Sequence, residues 1–125
     1  MKGVINWDEV KNFTLDEFEC RCGCGFNNID RDLVYKLDEA RNIAGIPFFI
    51  NSACRCLKRN ISEGGEELSS HLQGLAVDIK VLGSAHRFLI LKSLFALGFV
   101  RIGVYKNFIH CDLDKTKPQN VVWYK

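Results

Sequence analysis

Two runs of strand-forming residues, Phe99 to Tyr105 and Phe108 to Leu113, are separated only by Lys106 and Asn107. So short a connection joins neighbouring antiparallel strands, so this stretch reads as a hairpin. In the second run Phe108, His110 and Asp112 share one face, while Ile109, Cys111 and Leu113 share the other. Leu75 to Val81 alternates in the same way. Leu75, Val77, Ile79 and Val81 form an apolar face, and Ala76, Asp78 and Lys80 lie opposite. Phe48 to Ser52 reads as a further short buried strand.

Helical spacing governs the stretches between. From Asp30 to Ala44 the apolar residues Leu33, Leu37, Ala40 and Ala44 recur at the helical period. Asp30 is placed to cap this helix, and Gly45 followed by Pro47 ends it. Ser84 is placed to cap a second helix with Phe88, Leu91 and Phe95 on its apolar face and Gly98 at its end. Leu57 to Ser70 is polar, contains Gly64-Gly65, and is expected to be a surface loop. Residues 1–29 look irregular except for a short helix from Thr14 through Phe18, where Thr14 and Glu17 form a capping-box pattern. The sum is an α+β domain, two main helices on a mostly antiparallel sheet, and residues 1–125 suit a single domain. A monomer is the expected state.

The formal charge of +2, with acids and bases interspersed, gives no reason to propose a nucleic-acid partner. No stretch approaches the roughly 20 apolar residues of a membrane span. The residues from Met1 to Asp8 lack the apolar core of a signal peptide, so synthesis in a cytoplasm is expected. Six cysteines fall as Cys20, Cys22 and Cys24, then Cys54 and Cys56, then Cys111. Three readings stay open for them: a disulfide from the first cluster to Cys54 or Cys56, packed thiols, or a second structural zinc. The C-x-C-x-C spacing counts against the last, because it differs from the usual C-x(2–4)-C knuckle. Cys111 is expected to face the core.

Chemistry concentrates on His71, Asp78 and His110. Asp78 and His110 lie on the polar faces of their strands, and His71 precedes the Leu75 strand in a turn containing Gly74. If the hairpin neighbours that strand, two imidazoles and a carboxylate can converge on one cation. Two nitrogens, one oxygen and an open fourth position describe a catalytic zinc rather than a structural one. Taken singly, each residue has an ordinary reading: a solvated strand carboxylate, an exposed loop histidine, a histidine satisfied beside a sheet.

Ser69-Ser70-His71-Leu72-Gln73-Gly74-Leu75-Ala76-Val77-Asp78 resembles the S-x-H-x-x-G-x-A-x-D motif of the zinc D-alanyl-D-alanine carboxypeptidase family. That family includes phage endolysin peptidases and shares its fold with the hedgehog signalling domain. Ser52-Ala53-Cys54-Arg55 with Asn60 and Gly64-Gly65 is similar to the family's S-x-x-R segment. Gly98-Phe99, Gly103-Val104-Tyr105 and Phe108 to Asp112 resemble its closing hairpin, and Phe13 to Cys24 the opening of its small phage-associated branch. The resemblance implies a hedgehog/DD-peptidase-like fold and Zn2+ on His71, Asp78 and His110. It also implies Arg55 holding a substrate carboxylate or carbonyl, and Ser69 beside the substrate backbone. The implied activity is hydrolysis of a bacterial peptidoglycan peptide, in a phage or prophage lysis enzyme acting on the cell wall. Many family members carry an acidic general base three residues before the second histidine, where this chain has Asn107. Asp112 is the candidate replacement or a residue that orients its neighbours, and Glu66 or Glu67 could also serve. Asn107 also keeps open a non-catalytic zinc-binding module of the same fold.

Overall fold

A computed structural model describes residues 3–125; Met1 and Lys2, which open the irregular segment expected at 1–29, lie outside the described residues. Five strands form one sheet in the order β1-β2-β4-β3-β5: β1 Ile50–Ser52, β2 Ala76–Lys80, β3 Arg101–Val104, β4 Phe108–Asp112 and β5 Val121–Tyr124. All neighbours are antiparallel except β3 and β5, which run parallel. The helices are α1 Arg31–Ala44, α2 Leu57–Ser62 and α3 Ser84–Ala96. This is the α+β architecture that the sequence predicts.

Alternation divides the sheet into two faces with different tasks. Val77 and Ile79 of β2, Ile102 of β3, and Ile109 and Cys111 of β4 are buried in one apolar core with Leu33, Val34 and Leu37 of α1 and Ile90 and Leu94 of α3. Helix α1 packs directly on α3. Each fully buried aliphatic side chain in this core contributes about 1.5–3 kcal/mol. The opposite face carries Asp78, Arg101, His110 and Asp112, all polar and none exposed. Helix α1 starts at Asp30, whose carboxylate accepts from Leu33 N–H at 3.1 Å, and stops at Gly45 in the left-handed region.

Several sequence expectations change. The predicted loop from Leu57 to Ser70 contains α2, because Cys56 Sγ accepts from Arg59 N–H at 3.4 Å and caps it. Ion pairing of Arg59 with Glu63 at 2.5 Å supports its last turn. A polar composition hid a helix whose cap is a cysteine. Ser84 is the first residue of α3 rather than its cap; Gly83 holds that position without a side-chain bond. Phe88 and Phe95, expected on the buried face of α3, are 62% and 52% exposed, and Ile90, Ser93 and Leu94 face the core instead. The helix is apolar on most sides, so periodicity did not select its face. β1 is shorter than the run from Phe48, and β5 had no expectation.

The N-terminal segment contributes to the core although it has little regular structure. Val10, Phe13, Phe18 and Ile29 are buried, and two 3-10 turns, Trp7–Glu9 and Leu15–Phe18, place them. The Thr14–Glu17 capping box is present, with Thr14 N–H donating to Glu17 at 2.8 Å. None of the six cysteines is in a disulfide. Cys54 and Cys111 are buried in the core, as expected for Cys111, while Cys56 faces Cys20 and Cys22. Among the described residues no helix is long and apolar enough to cross a membrane.

Candidate active site

The register of β2 against β4 sets Asp78 directly opposite His110. His110 Nδ1 lies 2.9 Å from Asp78 Oδ1. His71 arrives from the short 3-10 turn Ser70–Gln73, which Ser69 begins by accepting from His71 N–H at 3.2 Å. His71 Nδ1 donates to the Ala53 carbonyl at 2.7 Å, which leaves Nε2 as the lone-pair nitrogen, 3.3 Å from Asp78 Oδ1. One donor atom from each of the three residues therefore lies within 4.8 Å of the others. Ligands bonded to zinc at about 2.0–2.1 Å in a tetrahedron stand roughly 3.3 Å apart, so this spacing fits the ion.

Surrounding groups hold the three in place. His110 Nε2 donates to Asp112 Oδ2 at 2.7 Å, and Asp112 Oδ1 accepts from Arg101 Nε at 2.7 Å and from Asp114 N–H at 3.0 Å. Arg101 also donates to the Pro118 carbonyl at 2.6 Å and lies over the Trp123 ring. Burial alone would push the Asp78 carboxyl up, but hydrogen bonds and charge from His110 and His71 hold it well below the usual carboxylate range. For His110, burial favours the neutral ring, yet bonds and charge from Asp112 and Asp78 raise its pKa. The donor set is thus carboxylate-rich around two imidazoles, an environment that favours a cation.

Arg55 completes the cluster. Its guanidinium donates to Ser52 Oγ at 3.0 Å, Asn60 Oδ1 at 3.2 Å and Asp78 Oδ2 at 3.3 Å, and its backbone N–H donates to the His71 carbonyl at 3.1 Å. Arg55, His71, Asp78 and His110 line a cavity of about 590 Å³ whose walls also include Ser69, Glu66, Lys117 and Trp123.

The sequence model of the peptidase M15 family matches residues 11–112. The chain belongs to the peptidase M15 family. It is therefore a metallopeptidase by family, and M15 peptidases are zinc-dependent. A comparison with curated proteins finds no match. The matched segment contains every residue of the metal cluster and Arg55.

Of the residues singled out in the sequence of this M15 peptidase, His71, Asp78, His110, Arg55, Ser69, Asp112 and Glu66 all line the cavity. Glu67 is not among its lining residues. Asn107 is exposed in the hairpin turn, where its carbonyl accepts from Val81 N–H at 2.9 Å, and it does not line the cavity either. The structure adds Arg101, Asp114, Lys117 and Trp123 to the picture. Arg101 had a visible signal, since it shares a strand face with Gly103 and Tyr105 in an otherwise apolar run. Gly103 lies opposite both His110 and Trp123, and a Cβ there would stand 2.6 Å from the indole. Only glycine admits the ring so close to His110, 5.5 Å between centroids.

The bonds of Asp112 lead to a first prediction. With both oxygens engaged, replacing it by Asn releases the His110 ring from its charged acceptor. The expected result is a loss of about 10–100-fold in zinc affinity, read by competition with a chromogenic chelator, with the fold retained by circular dichroism.

Proposed function

We propose that this chain hydrolyses an amide bond in the stem peptides of bacterial peptidoglycan, either at terminal D-Ala–D-Ala or between L-Ala and D-Glu. The observation that carries this reading is one cavity wall holding a three-ligand metal cluster with an arginine fork beside it. His71, Asp78 and His110 would hold a zinc ion, which when bound would supply Lewis acidity toward a scissile carbonyl and lower the pKa of water toward about 7. The remaining steps belong to side chains. Arg55 receives a substrate carboxylate or the oxygen on which negative charge develops, a task suited to a planar pair of donors. Ser52 and Asn60 hold that fork from behind. Ser69 lies beside the path of the substrate backbone. Tyr105 and Phe108, stacked with 4.4 Å between centroids, and Trp123 give the cavity an apolar side suited to alanyl methyl groups.

Asp112 holds His110 and is a positioning residue in this reading. Proton transfer is assigned to Glu66, a residue of the cavity wall, whereas the other glutamate of that wall, Glu63, is paired with Arg59. Asn107 lies outside the cavity, so its lack of a carboxyl does not favour a non-catalytic module. The protein is read as a monomer made in the cytoplasm of a phage-infected or prophage-carrying bacterium and acting on the wall. Replacing Arg55 by Lys tests the placement of substrate. If Arg55 binds a terminal carboxylate, R55K raises KM by about 10²-fold for a free-acid stem peptide and leaves an amidated peptide unaffected. Loss of kcat on both peptides assigns Arg55 to the developing oxyanion, and no loss on either removes it from the site.

A further inference from the structure

Away from the cavity, Cys20, Cys22, Cys24 and Cys56 bring one sulfur each to within 4.8 Å of one another. Three of the sulfur separations are nearly equal: 3.5 Å from Cys20 to Cys22, 3.8 Å from Cys20 to Cys56 and 3.7 Å from Cys22 to Cys56. A disulfide needs about 2.05 Å and joins two sulfurs, not three at equal spacing. Four thiolates around zinc at about 2.3 Å make a tetrahedron with edges of roughly 3.8 Å, which is the spacing found. We propose that these four cysteines form a second, structural zinc site distinct from the His71–Asp78–His110 cluster.

The local backbone is built for this. Gly23 and Gly25 both have φ of 84°, a left-handed conformation that other residues resist, and the C-x-C-x-C run they shape brings the sulfurs of Cys20, Cys22 and Cys24 close together. Cys20 N–H donates to the Phe26 carbonyl at 2.8 Å and Gly23 N–H to the Cys20 carbonyl at 3.3 Å, closing the loop. The sulfurs also receive backbone donors: Cys56 N–H reaches Cys20 Sγ at 3.4 Å, and Arg59 N–H reaches Cys56 Sγ at 3.4 Å. Such donors stabilise thiolate ligands from outside the coordination shell. With four protein ligands there is no open position, so the site is structural rather than catalytic. The sequence spacing that counted against zinc is accommodated because the fourth ligand comes from the cap of α2.

Its consequence follows from the neighbours of Cys56. Arg55 precedes it, and Cys54 N–H donates to the Phe18 carbonyl at 3.1 Å. The ion would staple the N-terminal segment to the strand end that presents Arg55. The proposal does not depend on the peptidase reading.

The test is reconstitution of the full chain with cobalt, followed spectroscopically. Thiolate ligands give an intense near-ultraviolet charge-transfer band that a histidine–carboxylate site does not. The expected result is that band in the wild type and in H71A, with its loss in the C22S/C24S variant and one fewer zinc per chain by elemental analysis. Absence of the band from wild-type protein loaded with two equivalents overturns the proposal, whatever the variant's folding. So does a Cys20, Cys22, Cys24 or Cys56 disulfide found in the purified protein by mass mapping. Failure to cut peptidoglycan, with the band present, counts only against the function proposed above.

Discussion

Replacing His71 by alanine is expected to abolish hydrolysis while leaving the chain folded. The imidazole is buried and gives one nitrogen to the Ala53 carbonyl and the other to the metal cluster. Alanine removes a ligand and leaves Asp78 with one imidazole fewer to hold its charge. Metal catalysis contributes several kcal/mol to the barrier, so the rate should fall by about 10³-fold or more. Zinc content should drop by one equivalent per chain. The loss of the hydrogen bond to Ala53 costs about 1 kcal/mol of stability, a shift that thermal denaturation will resolve without unfolding the protein at working temperature. Unchanged turnover in H71A with a full complement of zinc would remove the cluster from the mechanism.

The largest effect on stability is expected at Gly74. It ends the turn that delivers His71, with φ of 69°, and a Cβ there would lie 2.1 Å from the Asn28 carbonyl oxygen. Its own carbonyl accepts from Asp30 N–H at 2.9 Å, which ties the start of α1 to the active-site turn. Alanine faces two penalties together. The left-handed conformation costs about 1–2 kcal/mol, and the clash is with backbone, which has no rotamer to yield. A total of about 3 kcal/mol or more is expected, lowering Tm by on the order of 10 °C. Because the shift displaces His71 as well, metal affinity should fall with it. A G74A protein that melts at the wild-type temperature would show that this junction relaxes freely.

How much of this was legible in the sequence depended on whether a local rule decided the position. Asp30, Gly45, Thr14 and Glu17 act through bonds within a few residues, and all four do what their positions suggest. The alternation of Leu75 to Val81 and of Phe108 to Leu113 separated core from active face correctly, because one face of the sheet is covered by α1 and α3. The pairing of β2 with β4 was only a condition in the sequence, and the register that sets Asp78 opposite His110 meets it. Where the rules were silent or ambiguous, the reading failed. Helix α3 has Phe88, Leu91 and Phe95 competing with Ile90 and Leu94, and only packing against α1 chooses between them. Helix α2 is capped by a sulfur, an acceptor outside the usual Ser, Thr, Asp and Asn set. The Cys20–Cys56 cluster joins residues that no sequence spacing relates. Arg101 and Asp114 act on Asp112 through tertiary contacts, and the motif that identified the ligands does not include them.

The most direct test of the central claim is mass spectrometry of purified peptidoglycan stem peptides after incubation with zinc-loaded protein, with and without a chelator. The account predicts cleavage at a single type of amide bond, lost on chelation, restored by added zinc, and absent with H71A. Intact peptides after incubation with fully zinc-loaded wild-type protein, across stem peptides that end in D-Ala–D-Ala and those that retain L-Ala–D-Glu, would contradict it.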